Sequence, residues 1–179
     1  MRYLIPFVIC ASPLAAQDCP AGPDHSARLA QIIIELGRSA GPTAARPLTQ
    51  ELWELWLDAP DQTAQEMLDR GMAQRESFDF LGARDTLDGL VEYCPDYAEG
   101  YNQRAFASFL RRDYAAALVD LNKALDLMPN HIAALSGKGL TLMGMGRTAE
   151  GQDALRAALA MNPWLAERSL ITQDAGTDI

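Results

Sequence analysis

Between residues 64 and 165 the chain repeats its apolar and polar positions every 34 residues. Pro95, Pro129 and Pro163 mark the step most plainly, and other series keep it. Small residues recur at Gly71, Ala105 and Gly139, and again at Ala83, Ala117 and Gly151. Large apolar residues recur at Leu87, Leu121 and Leu155, and a mixed apolar series at Leu90, Ala124 and Ala158 continues in Val91, Leu125 and Leu159. A fixed period of this length marks a stack of supersecondary units, each burying its apolar face only against a neighbour. The pattern predicts two helices per unit. The small residues let the helices cross closely, and the leucines fill the space between them. Asp79, Asp113 and Arg147 fall at the polar turn inside each unit. Proline ends each unit because it cannot continue a helix. Asp96 and Asn130, each just after a proline, are the expected caps of the next helix.

Flanking segments predict further helices. Residues 25–40 carry Leu29, Ile32, Ile33 and Leu36 at helical spacing, and Gly41-Pro42 stops them. Residues 48–58 carry Leu52, Trp53, Leu55, Trp56 and Leu57 before Ala59-Pro60. A backward step from Met67 and Gly71 lands on Ile33 and Gly37, so the phase persists, with Pro60 one residue early. The expected segment 17–63 is therefore a lead and a degenerate helical hairpin that caps the first repeat. After Pro163, residues 164–171 predict a short closing helix with Leu165 and Leu170 turned inward, and the end is expected to fray.

The units resemble the tetratricopeptide repeat (TPR) family. Residues 98–131 match best: Tyr101 and Tyr114 stand at aromatic positions, Ala105 and Ala117 at small ones, followed by Leu121, Ala124 and Pro129. Arg112 replaces the glycine usual before the turn aspartate. Residues 132–165 follow the pattern with Gly151 for alanine, and residues 64–97 follow it more loosely, with Met67 and Gln74 at aromatic positions. The resemblance covers 102 of 179 residues. It implies an all-α fold of about nine helices: a short right-handed α-solenoid of three TPR hairpins, a degenerate N-terminal hairpin, and a C-terminal cap in 166–179.

The resemblance also implies a function, binding a partner protein's segment on the concave face that the first helix of each repeat lines. Carried over by position, that face comprises Gln65, Leu68, Met72 and Arg75 in the first repeat. The second supplies Glu99, Asn102, Phe106, Phe109 and Leu110; the third supplies Ala133, Ser136, Leu140 and Met143. Aromatic and methionine side chains suit peptide recognition. A competing reading has Phe109 or Leu110 touching the next repeat, or the leading hairpin folding into the groove. Some family members clamp a C-terminal carboxylate with lysine, asparagine and arginine. Those positions here hold Leu68, Met72, Gln103, Ala133 and Gly137, so the clamp does not carry over.

Composition places this array in a compartment. Arg2, the apolar run of residues 3–10 and the small residues Ala11, Ser12, Ala15 and Ala16 form a secretory signal layout, residues 1–16. The run is too short to span a bilayer. Export across an inner membrane to a periplasm is expected, with no integral membrane segment in the mature chain. Cys10 would leave with the signal. Cys19 and Cys94 would remain, either bonded to each other or as one buried and one idle thiol. The mature chain has fourteen basic residues against 24 acids, a net charge of −10, which repels nucleic acid.

Catalytic chemistry is not evident. His25 and His131 lie on different predicted elements without a metal-ligand spacing, and His131 is expected to be an exposed residue at a repeat junction. Gly144-Met145-Gly146 lacks the strand and lysine of a phosphate loop. Arg70, Arg104 and Lys138 stack once per repeat, and are expected to pair with nearby acids rather than form a basic ladder. The expected function is a non-catalytic adaptor without metal or cofactor. The alternatives are an accessory subunit of an envelope enzyme or assembly complex, or an unrecognised hydrolase. The export reading predicts that mass spectrometry of protein from the native host finds Gln17 at the N-terminus. Intact Met1 would overturn it.

Overall fold

A computed structural model describes residues 19–172. The signal-peptide reading of residues 1–16, and the tail from residue 173, lie outside them. The described residues form eight α-helices and one 3-10 helix, with no strand. A leading pair comprises α1 (Ser26–Arg38) and α2 (Pro42–Trp56). Three hairpins follow: α3 (Gln62–Glu76) with α4 (Phe80–Tyr93), α5 (Ala98–Leu110) with α6 (Tyr114–Leu127), and α7 (Ile132–Gly144) with α8 (Thr148–Met161). Each helix packs on the next from α3 to α8, and the first helices touch along the inner face, α3 with α5 and α5 with α7. This is the expected α-solenoid of stacked helical hairpins.

The small-residue series sets the distance between paired helices. A Cβ on Gly71 would sit 2.7 Å from Leu87 Cγ, and one on Gly139 would sit 2.6 Å from Leu155 Cγ and 3.0 Å from the Gly151 carbonyl oxygen. Side chains three and four residues apart along the second helix then close the core, with Ala83, Leu87, Leu90 and Ala117 all buried. Asp79 accepts from the Gly82 amide at 2.9 Å, and Asp113 from the Ala116 amide at 3.3 Å. These side chains satisfy orphan donors at the starts of α4 and α6. Arg147, third in that series, makes no cap and instead holds Glu150 at 2.6 Å.

At the starts of α5 and α7 the capping expectation is corrected. The N-cap residues are Tyr97 and His131, not Asp96 and Asn130, and His131 Nδ1 accepts from the Ala134 amide at 3.3 Å. The proline and the residue after it form the turn, so the cap falls one position later.

The placement of the leading hairpin is also corrected. Its apolar face does not cap the first repeat. Leu29, Ile32, Leu36, Leu52 and Trp56 form one core with Ile132 of α7 and Ala158 of α8, and α1 packs on α8. The indole N–H of Trp164 donates to the Leu36 carbonyl at 3.3 Å. The reason lies in the register. One repeat before Ala83 and Leu87 stand Thr49 and Trp53, too bulky for the tight crossing. Gly37 accordingly has nothing within 4 Å of where its Cβ would lie. The first repeat needs no cover: Gln62, Thr63, Glu66, Asp69 and Arg70 keep α3 polar on its exposed side.

The C-terminal cap is a 3-10 helix, Ala166–Leu170. Leu165 packs inward as expected, but Leu170 is exposed. Its carbonyl instead accepts from the Gln152 side-chain amide at 2.8 Å. The close crossing of α7 and α8 predicts that Gly139→Ala lowers unfolding stability by about 1–3 kcal/mol, because the new methyl overpacks Leu155. Gly89→Ala, with open space at its Cβ, should not destabilise. Urea denaturation of both variants checks this.

Candidate binding groove

The inner face of the array is lined by α3, α5 and α7, and α2 lies across its α5–α7 half. Between them runs a cleft of about 250 Å³. Leu52, Trp53 and Trp56 form one wall; Phe106 and Phe109 of α5 and Leu140 of α7 form the other. Phe106 is 45 % exposed at its edge, and Trp53 is 37 % exposed across from it. Phe109 is half-buried and packs on Tyr114 with ring centroids 5.5 Å apart.

Of the residues read from the sequence, Asn102, Phe106, Phe109, Ser136 and Leu140 meet in this cleft. Leu68 is fully buried in the first repeat, and Met72 packs against the same core. Arg75 donates to the Gln103 side chain and lies over the Phe106 ring, 4.6 Å from its centroid. Burial pulls its guanidinium below the usual arginine range. Met143 faces α8, where its sulfur accepts from Gln152 at 3.9 Å.

Beneath α2 lies a polar cluster. Glu99 and His131 are fully buried, and His131 Nε2 lies 2.8 Å from Glu99 Oε2. Because Nδ1 accepts from the Ala134 amide, Nε2 carries the proton and donates. Glu99 also accepts from the amides of Asn102 and Gln103. The outer face of the His131 ring stacks on Trp56, with centroids 4.3 Å apart and planes 17° from parallel. Tyr97 donates its hydroxyl to the Trp56 carbonyl at 2.7 Å, and burial pushes that hydroxyl's pKa far up. The expectation of an exposed His131 is thus corrected: it caps α7 and joins two repeats to the hairpin. The hint in the sequence was Glu99, with two amide side chains three and four residues on, followed by a histidine at the next junction.

Of the stacked basic series Arg70, Arg104 and Lys138, Arg104 is the one with an ion pair among the described residues. Arg104 holds Asp120 at 2.5 Å and Asp88 at 2.8 Å. Burial opposes the charge, but those carboxylates keep its pKa above the usual arginine value. Cys19 and Cys94 are brought together, with Cα atoms 5.1 Å apart and sulfurs at bonding distance, 1.96 Å. Among the described residues no group of three histidine, cysteine or acidic side chains is placed to hold a metal ion. No described helix is long and apolar enough to cross a membrane.

No protein-family model matches the chain. A TPR repeat-containing protein of Rhizobium etli is 27 % identical over 152 residues, covering 78 % of this chain and 73 % of its own. A tetratricopeptide repeat protein 36 homolog of Nematostella vectensis is 42 % identical, over 40 % of this chain and 39 % of its own. Among solved structures, the TPR2B domain of yeast Sti1, in a complex with pHsp70, is 26 % identical with a TM-score of 0.54. It covers 55 % of this chain and 78 % of its own. The first TPR of Spaghetti (RPAP3), bound to the HSP90 peptide SRMEEVD, has a TM-score of 0.59 at 21 % identity. It covers 61 % of this chain and 86 % of its own. These similarities support the tetratricopeptide repeat family, and the fold is that of its helical solenoids.

The buried pair predicts a stability effect. His131→Phe keeps a ring against Trp56 but leaves the Glu99 carboxylate without its imidazole partner. Leaving a buried charged acceptor short of a donor costs about 1–3 kcal/mol or more. A loss under 1 kcal/mol in chemical denaturation would show that the cluster does not hold the fold.

Proposed function

We propose that this protein is an exported, non-catalytic interaction module that binds a segment of a partner protein on its concave face. The observation that carries the reading is the cleft between α2 and the α5–α7 face, walled by aromatic and aliphatic side chains, with Phe106 exposed at its edge. Apolar walls with a few convergent polar groups are the usual make-up of a binding site. The structural relatives bound to a peptide or to pHsp70 support the same class of function. The partner's chemistry is not theirs to define, because the positions of the carboxylate clamp hold Leu68, Met72, Gln103, Ala133 and Gly137. Export is supported by the signal layout of residues 1–16 and by the meeting of Cys19 with Cys94. A bond between them, closed in an oxidising compartment, would tether the lead to the first repeat.

Photo-crosslinking identifies the partner. A crosslinking residue in place of Phe106 should capture a discrete protein in the native envelope, and one in place of Val119 on α6 should not. Central aromatic anchors contribute about 2 kcal/mol or more. Phe106→Ala should therefore weaken binding of that partner roughly thirtyfold. A folded Phe106→Ala protein with unchanged affinity would defeat the reading.

A further inference from the structure

The concave face is already partly occupied, and the occupant is a segment of this chain. Helix α2 presents Leu52, Trp53 and Trp56 to α5 and α7, the spacing of one face of an amphipathic helix. What it covers is partly apolar core, with Ile132 at its centre, and partly polar. Glu99, Asn102, His131 and Ser136 are buried there, and the hydroxyls of Ser136 and Thr141 have no hydrogen-bond partner among the described residues. Buried polar groups are normally satisfied, so an imperfect match marks a surface whose covering is not its only complement. The fit is also incomplete in shape, since the cleft remains open between Trp53 and Phe106.

Between its own two helices the hairpin is less closely joined than the repeat pairs. Neither α1 nor α2 has a side-chain N-cap or an acidic residue in its first turn, and α2 carries Pro47, which lacks an amide donor, within it. The two helices touch over a shorter stretch than any repeat pair. They are held to each other by the Arg28 fork on Glu51, at 2.5 and 2.6 Å. They are held to the array by the apolar core they share with Ile132 and Ala158, by the Trp56–His131 stack, and by the Tyr97–Trp56 and Trp164–Leu36 hydrogen bonds. Elements with few fastenings open before the rest of a fold.

We infer that α2 is an internal stand-in for the partner: the concave face takes an amphipathic helix with a leucine and a tryptophan four residues apart, which displaces the α1–α2 hairpin. This rests on the groove-binding reading above and names the chemistry of its partner. The hairpin swings about residues 57–61, and the junction of Cys19 with Cys94 keeps its leading end on the first repeat. A partner must outcompete a tethered segment, so its apparent affinity falls by the fraction of molecules that are open.

The test uses the full mature chain and, as ligand, a synthetic peptide of residues 42–57. The Trp56→Ala protein should bind this peptide at least tenfold more tightly than wild type, because its own hairpin competes less well. Arg28→Ala, which weakens the hairpin without touching the concave face, should act in the same direction if Trp56→Ala does not fold. A peptide with Trp53 and Trp56 both changed to alanine should not bind. Hydrogen exchange should show α1–α2 amides opening in a separate, faster step than α5–α8, faster still in either variant. Equal peptide affinity for wild type and variant, no binding to a variant whose hairpin exchanges freely, or one common exchange step for all helices would each overturn the inference. None of these measurements involves the natural partner, so failure to find that partner leaves their outcome intact.

Discussion

The contact on which the structure turns is the burial of the Glu99 carboxylate. A charge at this depth needs hydrogen-bond donors on every side, and they come from two repeats: Asn102 and Gln103 on its own helix, and His131 at the start of the next. The Ala134 amide, donating to Nδ1, selects the tautomer in which His131 donates from Nε2. Capping of α7 and satisfaction of Glu99 are therefore one arrangement. Trp56 then closes over the imidazole and excludes water from the pair. The second and third repeats are therefore coupled through a single side chain, and Trp56 of the leading hairpin covers it. Low local dielectric strengthens each bond in such a network and raises the penalty for an incomplete one.

The array around this cluster tolerates local strain where the repeat demands it. The residue before each turn aspartate, or before Arg147, adopts a left-handed backbone: Phe78 at φ 66°, Arg112 at 60° and Gly146 at 78°. Only the third is a glycine. A non-glycine residue in this region carries a cost of roughly 1–2 kcal/mol. The turn survives it because the helices on both sides fix its ends, with the Asp79 and Asp113 amides donating back to the Gln74 and Ser108 carbonyls at 2.9 Å. Arg112 is thus a sequence departure from the family that leaves the geometry of the turn unchanged.

What the sequence made legible follows from periodicity. The 34-residue step located the three hairpins, their small-residue crossings and the polar turns, because each is a local consequence of a residue type at a fixed phase. It also gathered half of the candidate site: the positions of Phe106, Phe109 and Leu140 follow once α5 and α7 face the same way. It failed where no repeat exists. Phase alone placed the leading hairpin on the first repeat, whereas side-chain volume decided the matter, Thr49 and Trp53 being unable to pack as Ala83 and Leu87 do. Leu68, Met72 and Met143 sat at groove positions by phase yet turned to cores within their own hairpins. His131 was misplaced for the same reason, since its burial depends on Trp56, 75 residues earlier and outside the period.

The hairpin's position has a consequence for how specificity can arise on this scaffold. An open solenoid groove is broad, and its apolar lining alone discriminates weakly among apolar segments. With α2 across half of it, a segment must do more than fill the cleft. On the proposed reading it would also have to meet the hydroxyl of Ser136, and do so better than a competitor that is covalently present at all times. Competition of this kind removes the weakest binders first, because they cannot meet the cost of opening. The polar groups beneath the hairpin would then be the ones that reward a better-matched helix. Selectivity on this face would come less from the shape of the groove than from the quality of the segment already lying in it.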